Sequence, residues 1–200
     1  MKENQGVAFK PNPFEQFRDW HELAIAQEIN DPEAMSLATA GADGMPNVRM
    51  VLCKSFDATG IQFFTNLESP KGLEIAQNPR VALCFHWKSL RRQVRVQGTV
   101  IKLPEAEDDA YFHERHRESQ MSTWAAQQSR PLANMMKLTT DVHALHQRFA
   151  NQVVPRPSYW GGYLVTPQTI EFWAERPHRL HERMLYTRNG KKWVQQRLYP

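Results

Sequence analysis

The sequence MSLATAGADGMPNVRMVLCKSFDATGIQFFT, residues 35–65, predicts the architecture of the whole chain. It contains strand-like runs over residues 35–40, 48–55 and 61–65. Short turns rich in Gly, Ala and Asp separate these runs. Short strands joined by such turns indicate an antiparallel meander, in which each strand pairs with the next.

The rest of the chain adds helices and further hairpins to this meander. A first amphipathic helix is predicted to begin at Asn12-Pro13, with Asn12 as N-cap, Pro13 at N1 and Glu15 at N3. Further helices are predicted over residues 70–77, 105–118 and 139–151, and further strands over 81–87, 92–103, 186–188 and 192–198. Strands outnumber helices, so we expect a mainly β fold, an antiparallel barrel with surrounding helices.

The composition favours one compact domain. The chain has 200 residues, of which 41% are hydrophobic and 23% charged, and we expect a single domain over residues 13–200 after a flexible N-terminal arm over 1–12. The longest apolar run, residues 81–85, is far too short to span a bilayer, and the start lacks a secretory signal, so we expect a cytoplasmic protein without membrane contact. Cys53 and Cys84 are expected to be buried free thiols, and no metal site is predicted.

The excess positive charge is concentrated near the C-terminus. The formal net charge is +4, and residues 176–197 contain seven Arg or Lys against one acid, Glu182. These cations alternate with strand-like apolar residues, and the chain shows no nucleic-acid-binding motif. We therefore expect a small anionic ligand and no nucleic acid.

The segment from Thr65 to Lys71 places a cation in the first turn of a predicted helix, where it opposes the helix dipole. This conflict disappears if an anion binds the free N–H groups of the helix start, with Lys71 and the Thr65 hydroxyl around it. Ser69 is the expected N-cap. A solvated surface lysine is the alternative interpretation.

Tyr111, Arg115 and Ser119 fall at i, i+4 and i+8, so on one continuous helix they share a stripe. A phenol, a guanidinium and a hydroxyl together suit the oxygens of a phosphate monoester. The alternative is an ordinary helix surface on which Arg115 pairs with Glu114 or Glu118.

Trp173 precedes the sequence Arg179-Leu180-His181-Glu182-Arg183. In an extended chain Arg179, His181 and Arg183 point to one face, and that face repels itself unless an anionic or electron-rich group covers it. The alternative is a polar exposed strand.

Arg49 and Lys54 are five residues apart, so they face opposite sides of a regular strand. Either a bulge intervenes or the two cations serve different groups.

Short stretches distributed over nearly the whole chain carry a family resemblance. In order they are Arg49-Met50-Val51-Leu52-Cys53-Lys54, Phe64-Thr65-Asn66, Arg92-Gln93-Val94, Tyr111-Phe112-His113-Glu114-Arg115, Ser119-Gln120, Gln128-Ser129, Trp160-Gly161-Gly162, Glu171-Phe172-Trp173 and Arg179-Leu180-His181. From about residue 13 to residue 200, the sequence closely resembles the pyridoxine/pyridoxamine 5′-phosphate oxidases, flavoproteins with a split-barrel fold.

The resemblance implies a homodimer with FMN in two clefts at the subunit interface. The residues that it implies around FMN are Arg49, Met50, Val51, Leu52, Cys53, Lys54, Phe64, Thr65, Lys71, Gln93, Gln128, Ser129, Trp173 and Arg183. Those that it implies around the substrate phosphate are Lys54, Tyr111, Arg115 and Ser119. Arg179 and His181 are implied to lie over the substrate ring as catalytic residues. We expect Arg179 to orient and stabilise charge, because a guanidinium is a poor base, and His181 to move a proton.

The implied activity is oxidation of pyridoxine 5′-phosphate and pyridoxamine 5′-phosphate by dioxygen to pyridoxal 5′-phosphate, a step of vitamin B6 biosynthesis and salvage. Hydrogen peroxide is the by-product, with ammonia from the amine.

The sequence departs from the family at Pro70, where relatives commonly have an arginine, and lacks an Arg-x-x-Tyr segment before Pro13. Two alternatives stay open: a related split-barrel flavoenzyme such as a phenazine-pathway oxidase, and a non-catalytic flavin- or haem-binding split barrel.

Overall fold

The structure, a computed structural model, describes residues 6–200. The helices are α1 (Pro13–Gln27), α2 (Pro70–Gln77), α3 (Glu105–Glu114), α4 (Arg117–Ala125) and α5 (Met135–Arg148). The strands are β1 (Ala34–Ala40), β2 (Pro46–Leu52), β3 (Ser55–Phe56), β4 (Ile61–Asn66), β5 (Arg80–Trp87), β6 (Arg92–Lys102), β7 (Trp160–Ala174), β8 (Glu182–Asn189) and β9 (Lys192–Leu198). A 3₁₀ turn over Pro177–Arg179 precedes β8.

All strand pairs are antiparallel, and the sheet curls on itself. The strand order is β2-β1-β5-β6-β7-β4-β3, with β8 paired to β7 and β9 to β8. The two ends of that order, β2 and β3, are separated in sequence only by Cys53 and Lys54, so the chain joins both edges of the sheet. The prediction of an antiparallel split barrel with surrounding helices is confirmed.

Strand β7 pairs with three neighbours. Its first half lies between β6 and β4, and its second half lies between β6 and β8. The register between β6 and β7 shifts at Gln97/Gly98, where the chain forms a bulge. A Cβ atom on Gly98 would overlap the carbonyl oxygen of Thr166, so only glycine allows the strands to approach this closely.

Aromatic side chains fill the barrel beneath α1. Phe17 contacts Phe56 and Phe85 with ring centroids 4.4 and 5.0 Å apart, and Trp20 packs edge-on against Phe172 at 5.2 Å. A second apolar cluster lies under α3, α4 and α5; its buried members are Phe112, Met121, Phe149, Val154 and Trp160. The second cluster supports the helices that border the site described below.

The predicted start of α1 is confirmed, because the Asn12 side chain accepts a hydrogen bond from the Phe14 N–H and Pro13 occupies N1. Of the arm predicted over residues 1–12, residues 1–5 lie outside the described residues. Residues 6–12 contact the barrel: the Val7 N–H donates to Glu182, and the Lys10 carbonyl accepts from the Tyr186 hydroxyl at 2.6 Å. The described part of the arm is therefore attached rather than loose.

Two predicted helices have different bounds. The helix predicted over 105–118 is broken into α3 and α4, because Arg115 is extended with φ −73° and ψ 148°. The helix predicted over 139–151 begins at Met135, where the Asn134 side chain accepts from the Lys137 N–H, and ends at Arg148. The C-terminal strand predicted over 186–188 is longer and begins at Glu182.

Strand β2 presents an apolar row to solvent. Val48, Met50 and Leu52 alternate along it and are all exposed, and β1 is the strand with which β2 pairs.

Across residues 6–200, none of the helices has both the length and the apolar character needed to cross a membrane.

We expect Gly98→Ala to lower the free energy of unfolding by about 2 kcal/mol or more, because an added methyl group forces the two strands apart. Urea denaturation at one fixed protein concentration measures this loss. Gly6→Ala is the matched control, since a Cβ at Gly6 makes only ordinary contacts with Glu182. Equal denaturation midpoints for the two variants would show that the bulge accommodates a side chain.

Candidate active site

A cleft of about 820 Å³ opens where β4, the start of α2 and the α3–α4 pair meet. The predicted site residues that line it are Met50, Val51, Leu52, Lys54, Phe64, Thr65, Lys71, Tyr111, Arg115, Ser119 and Gln128. Lining residues that the sequence did not single out are Asn66, Glu114, His116, Ser122, Thr123, Ala126 and Trp160. Four of these carried a signal: Asn66, Glu114 and Trp160 lie in the stretches that carry the family resemblance, and Thr123 continues the Arg115–Ser119 spacing.

Lys71 is a buried cation in this cleft. Its side chain Nζ donates to Ser69 Oγ at 3.0 Å and to Gln128 Oε1 at 2.7 Å, both neutral acceptors. The pKa of Lys71 is lowered to about 8, chiefly by burial and also by the nearby charge of Arg49, while the charge of Glu74 opposes the shift. An anion in the cleft would relieve this desolvated charge.

Ser69 stands at the N-cap position of α2. Within residues 6–200 its side chain accepts no hydrogen bond from an N–H group of the helix, contrary to the prediction. Its hydroxyl donates to the Asn66 carbonyl at 2.7 Å and accepts from Lys71. The hydroxyl therefore holds Lys71 instead of satisfying an N–H group of the helix. The turn before α2 is also tight, because a Cβ on Gly72 would overlap the Leu67 carbonyl.

Arg115 is the second cation of the cleft. Its Nη1 donates to Thr123 Oγ1 at 2.8 Å, and its guanidinium carbon lies 4.9 Å from the centroid of the Trp160 ring. Burial lowers the pKa of Arg115, but a guanidinium stays protonated at neutral pH. Among residues 6–200 Arg115 forms no ion pair, whereas Glu118 pairs with His146. The surface alternative, in which Arg115 pairs with Glu114 or Glu118, is wrong.

Tyr111, Arg115 and Ser119 share the cleft although they do not share one helix. The break between α3 and α4 is held by Gln120, which is buried and whose Nε2 donates to the carbonyls of Phe112 and Arg115 at 3.0 and 3.1 Å. The Gln120 amide thus donates hydrogen bonds to carbonyl groups that are left without helical partners at the end of α3, and it fixes the position of α4. The predicted single stripe is wrong, but the predicted grouping of the three side chains is present.

Three aromatic rings form one wall of the cleft. Phe64 stacks on Tyr111 with centroids 4.1 Å apart, and on Trp160 at 5.3 Å. The planes of Phe64 and Trp160 differ by 13°. Such a wall suits a flat ring or supports the polar groups beside it.

Arg49 and Lys54 serve different groups, as one of the two alternatives predicted. Arg49 faces α2 and donates to Thr39 Oγ1, to the Leu37 carbonyl at 3.2 Å and to Glu74 at 3.1 Å. Lys54 follows the end of β2 and lines the cleft. Arg49 therefore lies outside the lining of the cleft, but its positive charge still lowers the pKa of Lys71.

Other predicted site residues lie away from the cleft, in a row across three neighbouring strands. Gln93 on β6 is opposite Trp173 on β7, and Trp173 is opposite Arg183 on β8. The ring of His181 lies 4.7 Å from that of Trp173. The Arg183 side chain forms an ion pair with Glu171 at 2.7 Å. We call Gln93, Trp173, His181 and Arg183 the second group.

The extended geometry predicted for residues 179–183 is wrong at its start. Arg179 ends the 3₁₀ turn with φ 62°, and His178 before it has φ 57°, so Arg179 and His181 do not alternate along a strand. Arg179 is exposed, and the Nδ1 of His181 accepts from the Arg176 N–H at 3.2 Å. Pro177 opens the 3₁₀ turn, which ends at Arg179, and the extended backbone of β8 begins only at Glu182.

Cys53 and Ser129 also lie outside the cleft lining. Cys53 is buried in the core, and burial raises the pKa of its thiol to about 12, so this thiol is unreactive. Ser129 is exposed and has φ 67°, next to Gln128. Within the described part of the chain no three His, Cys, Asp or Glu side chains are grouped so as to hold a metal ion.

The curled antiparallel sheet and its cationic, aromatic-walled cleft define a protein of the split-barrel class. Residues 22–149 match the family model described as pyridoxamine 5′-phosphate oxidase, and residues 160–200 match the model described as pyridoxine 5′-phosphate oxidase C-terminal dimerisation region. The chain belongs to the pyridoxine/pyridoxamine 5′-phosphate oxidase family.

Similar proteins cover nearly the whole chain. A pyridoxine/pyridoxamine 5′-phosphate oxidase of Caulobacter vibrioides is 51% identical over 94% of this chain and 85% of its own length. One of Rhodospirillum rubrum is 50% identical over 94% of this chain and 96% of its own length. Among solved structures, PhzG from Burkholderia lata in complex with tetrahydrophenazine-1-carboxylic acid has a TM-score of 0.91 at 28% identity, covering 97% of this chain and 98% of PhzG.

Proposed function

We propose that this protein binds FMN in the cleft and uses it to oxidise pyridoxine 5′-phosphate and pyridoxamine 5′-phosphate to pyridoxal 5′-phosphate. Dioxygen is the final electron acceptor, and hydrogen peroxide is released, with ammonia when the substrate is the amine. The observation that carries the proposal is the pair of separate cations in one cleft, Lys71 and Arg115, whose hydrogen-bond partners are neutral. A phosphorylated cofactor and a phosphorylated substrate together require two such anchors.

The residues around Lys71 fit the phosphate of FMN. The ammonium group is buried beside the Ser69 hydroxyl and the start of α2, so it offers a charged donor at a helix N-terminus. Thr65 adds a hydroxyl in the cleft, and the chain from Met50 to Leu52 forms the adjoining wall. When bound there, FMN supplies the hydride acceptor and the reaction with dioxygen. Pro70 supplies no cation, so the charge of Lys71 carries more of this binding.

The residues around Arg115 fit the substrate phosphate. Tyr111, Arg115 and Ser119 supply a phenol, a guanidinium and a hydroxyl, and Lys54 lines the same cleft. This arrangement fixes the phosphate end of the substrate and leaves its ring to lie against the flavin. The protein's contribution is then orientation and charge complementarity.

The second group completes the site from the partner subunit in this proposal. Trp160 at the start of β7 borders the cleft, whereas Trp173 of the second group lies thirteen residues further along the same strand. At the rise of a β-strand this separation is roughly 40 Å along the chain, which is more than one cofactor can bridge. A homodimer, supported by the match to a dimerisation region, brings the second group of one subunit to the cleft of the other.

Arg179 and His181 then act on the substrate bound in the partner's cleft. Arg179 is exposed on a turn, where it orients the substrate and stabilises developing charge. His181 Nδ1 accepts from the Arg176 N–H, so the neutral ring carries its hydrogen on Nε2 and donates to the substrate there. To take the proton from the substrate hydroxyl or amine, Nδ1 must release the Arg176 N–H. Gln93, Trp173 and Arg183 would border the flavin from the same side.

A phenazine-type substrate is the second candidate, because PhzG has nearly the same fold at 28% identity. The ligand bound to PhzG is a carboxylic acid without a phosphate. The Tyr111, Arg115 and Ser119 grouping favours a phosphate monoester, as does the 51% identity to a named pyridoxine/pyridoxamine 5′-phosphate oxidase. The cytoplasmic location expected from the sequence stays a prediction.

We expect the purified protein to absorb in the visible range of oxidised flavin, and anaerobic addition of pyridoxine 5′-phosphate to bleach that band. Unphosphorylated pyridoxine is the control and should bleach it much more slowly, because it cannot use Arg115. Stopped-flow absorbance measures both rates. A flavin band that persists with the phosphorylated substrate would identify a passive flavin binder.

We expect the dissociation constant for FMN to rise about tenfold or more between about pH 7 and about pH 9.5. Protonated Lys71 binds the phosphate, and the free protein loses this proton as the pH passes about 8, so alkaline solution weakens binding. Fluorescence titration of the apoprotein measures the constant. Lys71→Arg keeps its charge over this range and should show little pH dependence. The same alkaline loss in Lys71→Arg would exclude Lys71 as its origin.

A mixed dimer tests the shared site. Arg115→Ala damages the cleft and His181→Ala damages the second group, so each homodimer should have low activity. A dimer with one subunit of each kind contains one cleft with both changes and one with neither, and we expect about half of wild-type activity. Two affinity tags isolate the mixed dimer. Activity no higher than that of the homodimers would place all site residues in a single chain.

A further inference from the structure

The Arg115 guanidinium is held by Thr123 and Trp160, two residues to which the sequence analysis assigned no role in the site. Thr123 Oγ1 accepts from Arg115 Nη1 at 2.8 Å, and the same hydroxyl donates to the Ser119 carbonyl at 2.8 Å. Because a hydroxyl has one hydrogen, the bond to Ser119 turns the lone pairs of Thr123 towards the arginine. Thr123 is therefore oriented to accept from a cation.

Trp160 supports the guanidinium from below. The guanidinium carbon lies 4.9 Å from the Trp160 ring centroid, and the ring itself is buried and stacked on Phe64 at 5.3 Å. An arginine over the face of a tryptophan is a favourable cation–π arrangement. The platform thus fixes the plane of the guanidinium, while Thr123 fixes its rotation within that plane.

The Trp160-Gly161-Gly162 stretch accounts for how this platform is built. A Cβ on Gly162 would come 2.6 Å from Phe64 Cε1, so glycine there lets the Phe64 ring lie close to β7. A Cβ on Gly161 would come 2.5 Å from Asp108 Oδ2, a carboxylate of α3 that also accepts from the Gly162 N–H at 2.7 Å. The two glycines bring β7, α3 and the aromatic wall into contact.

We propose that Thr123 and Trp160 are positioning residues that hold the Arg115 guanidinium ready for the substrate phosphate. This inference rests on the proposed function, in which Arg115 binds that phosphate. Thr123 accepts a hydrogen bond from Nη1 of Arg115 only. Within residues 6–200 the other two guanidinium nitrogens form no hydrogen bond, so they are available to phosphate oxygens. Holding the side chain in advance reduces the ordering cost of binding.

The test compares Thr123→Val, which removes the acceptor at nearly constant shape, with Thr123→Ser, which keeps the hydroxyl. We expect Thr123→Val to raise the KM for pyridoxine 5′-phosphate about 3- to 10-fold, as loss of one hydrogen bond does, with kcat and FMN content unchanged. Thr123→Ser should stay within about twofold of the wild type. Thr140→Val is the matched control, because Thr140 makes the same bond to a preceding carbonyl on α5, at 2.9 Å, outside the cleft.

An equilibrium measurement removes dependence on turnover. The probe is 4-deoxypyridoxine 5′-phosphate, which has a methyl group at C4′ and cannot be oxidised there, and equilibrium dialysis against the FMN-loaded protein gives its dissociation constant. Thr123→Val should weaken this binding by the same factor as it raises KM. Unphosphorylated 4-deoxypyridoxine should bind equally to both proteins.

The double variant separates the two hypotheses. In an Arg115→Ala background, Thr123→Val should weaken probe binding no further, since its effect acts through the guanidinium. An additive effect, or equal loss in Thr123→Val and Thr123→Ser, would overturn the positioning role. Unchanged probe binding in Arg115→Ala alone would instead overturn the substrate-phosphate site of the proposed function.

Discussion

Strand β7 must satisfy hydrogen bonds along both of its edges, and the rest of the molecule is arranged around that requirement. It does so with three partners, β6 on one edge and β4 followed by β8 on the other. The change of partner coincides with the bulge at Gly98, where the barrel divides. The same strand begins at Trp160 beside the cleft and reaches Trp173 in the second group. One strand therefore separates the two parts of the candidate site within one chain, and in the proposed homodimer the second subunit brings them together.

The cleft keeps two cations with neutral partners, although burial of an unpaired charge is costly. Lys71 shows that cost in its pKa, which burial lowers to about 8. Arg115 avoids deprotonation because a guanidinium holds its proton strongly, and an aromatic face replaces part of its lost hydration. Acids are close by but engaged elsewhere, since Glu74 binds Arg49 and Glu118 binds His146. Within residues 6–200 no carboxylate forms an ion pair with Lys71 or Arg115, so the arrangement favours incoming anions.

The sequence was sufficient for the architecture and for much of the cleft, because hairpin turns and helix starts are local signals. Asn12-Pro13 began α1 as predicted, and α2 has the predicted bounds, 70–77. The break at Arg115 was not predictable from local pattern, since it depends on Gln120 reaching back to the end of α3. The turn at Arg179 depends likewise on backbone angles that an alternation pattern cannot reveal. The family resemblance supplied residues of both groups and implied clefts at a subunit interface, but it did not say which residues lie apart within one chain.

The apolar row on β2 makes the newly synthesised chain prone to aggregation before it assembles. Val48, Met50 and Leu52 lie on a strand that pairs with β1 on one side, so apolar surface and unpaired main-chain groups occur together. Such an edge is the type of surface on which β-rich proteins aggregate. In the proposed homodimer, the interval between synthesis and assembly is therefore the period of greatest vulnerability, and rapid dimerisation would protect the chain as well as complete its site. Abundant partner subunits would shorten that interval, whereas slow expression or dilution would extend it.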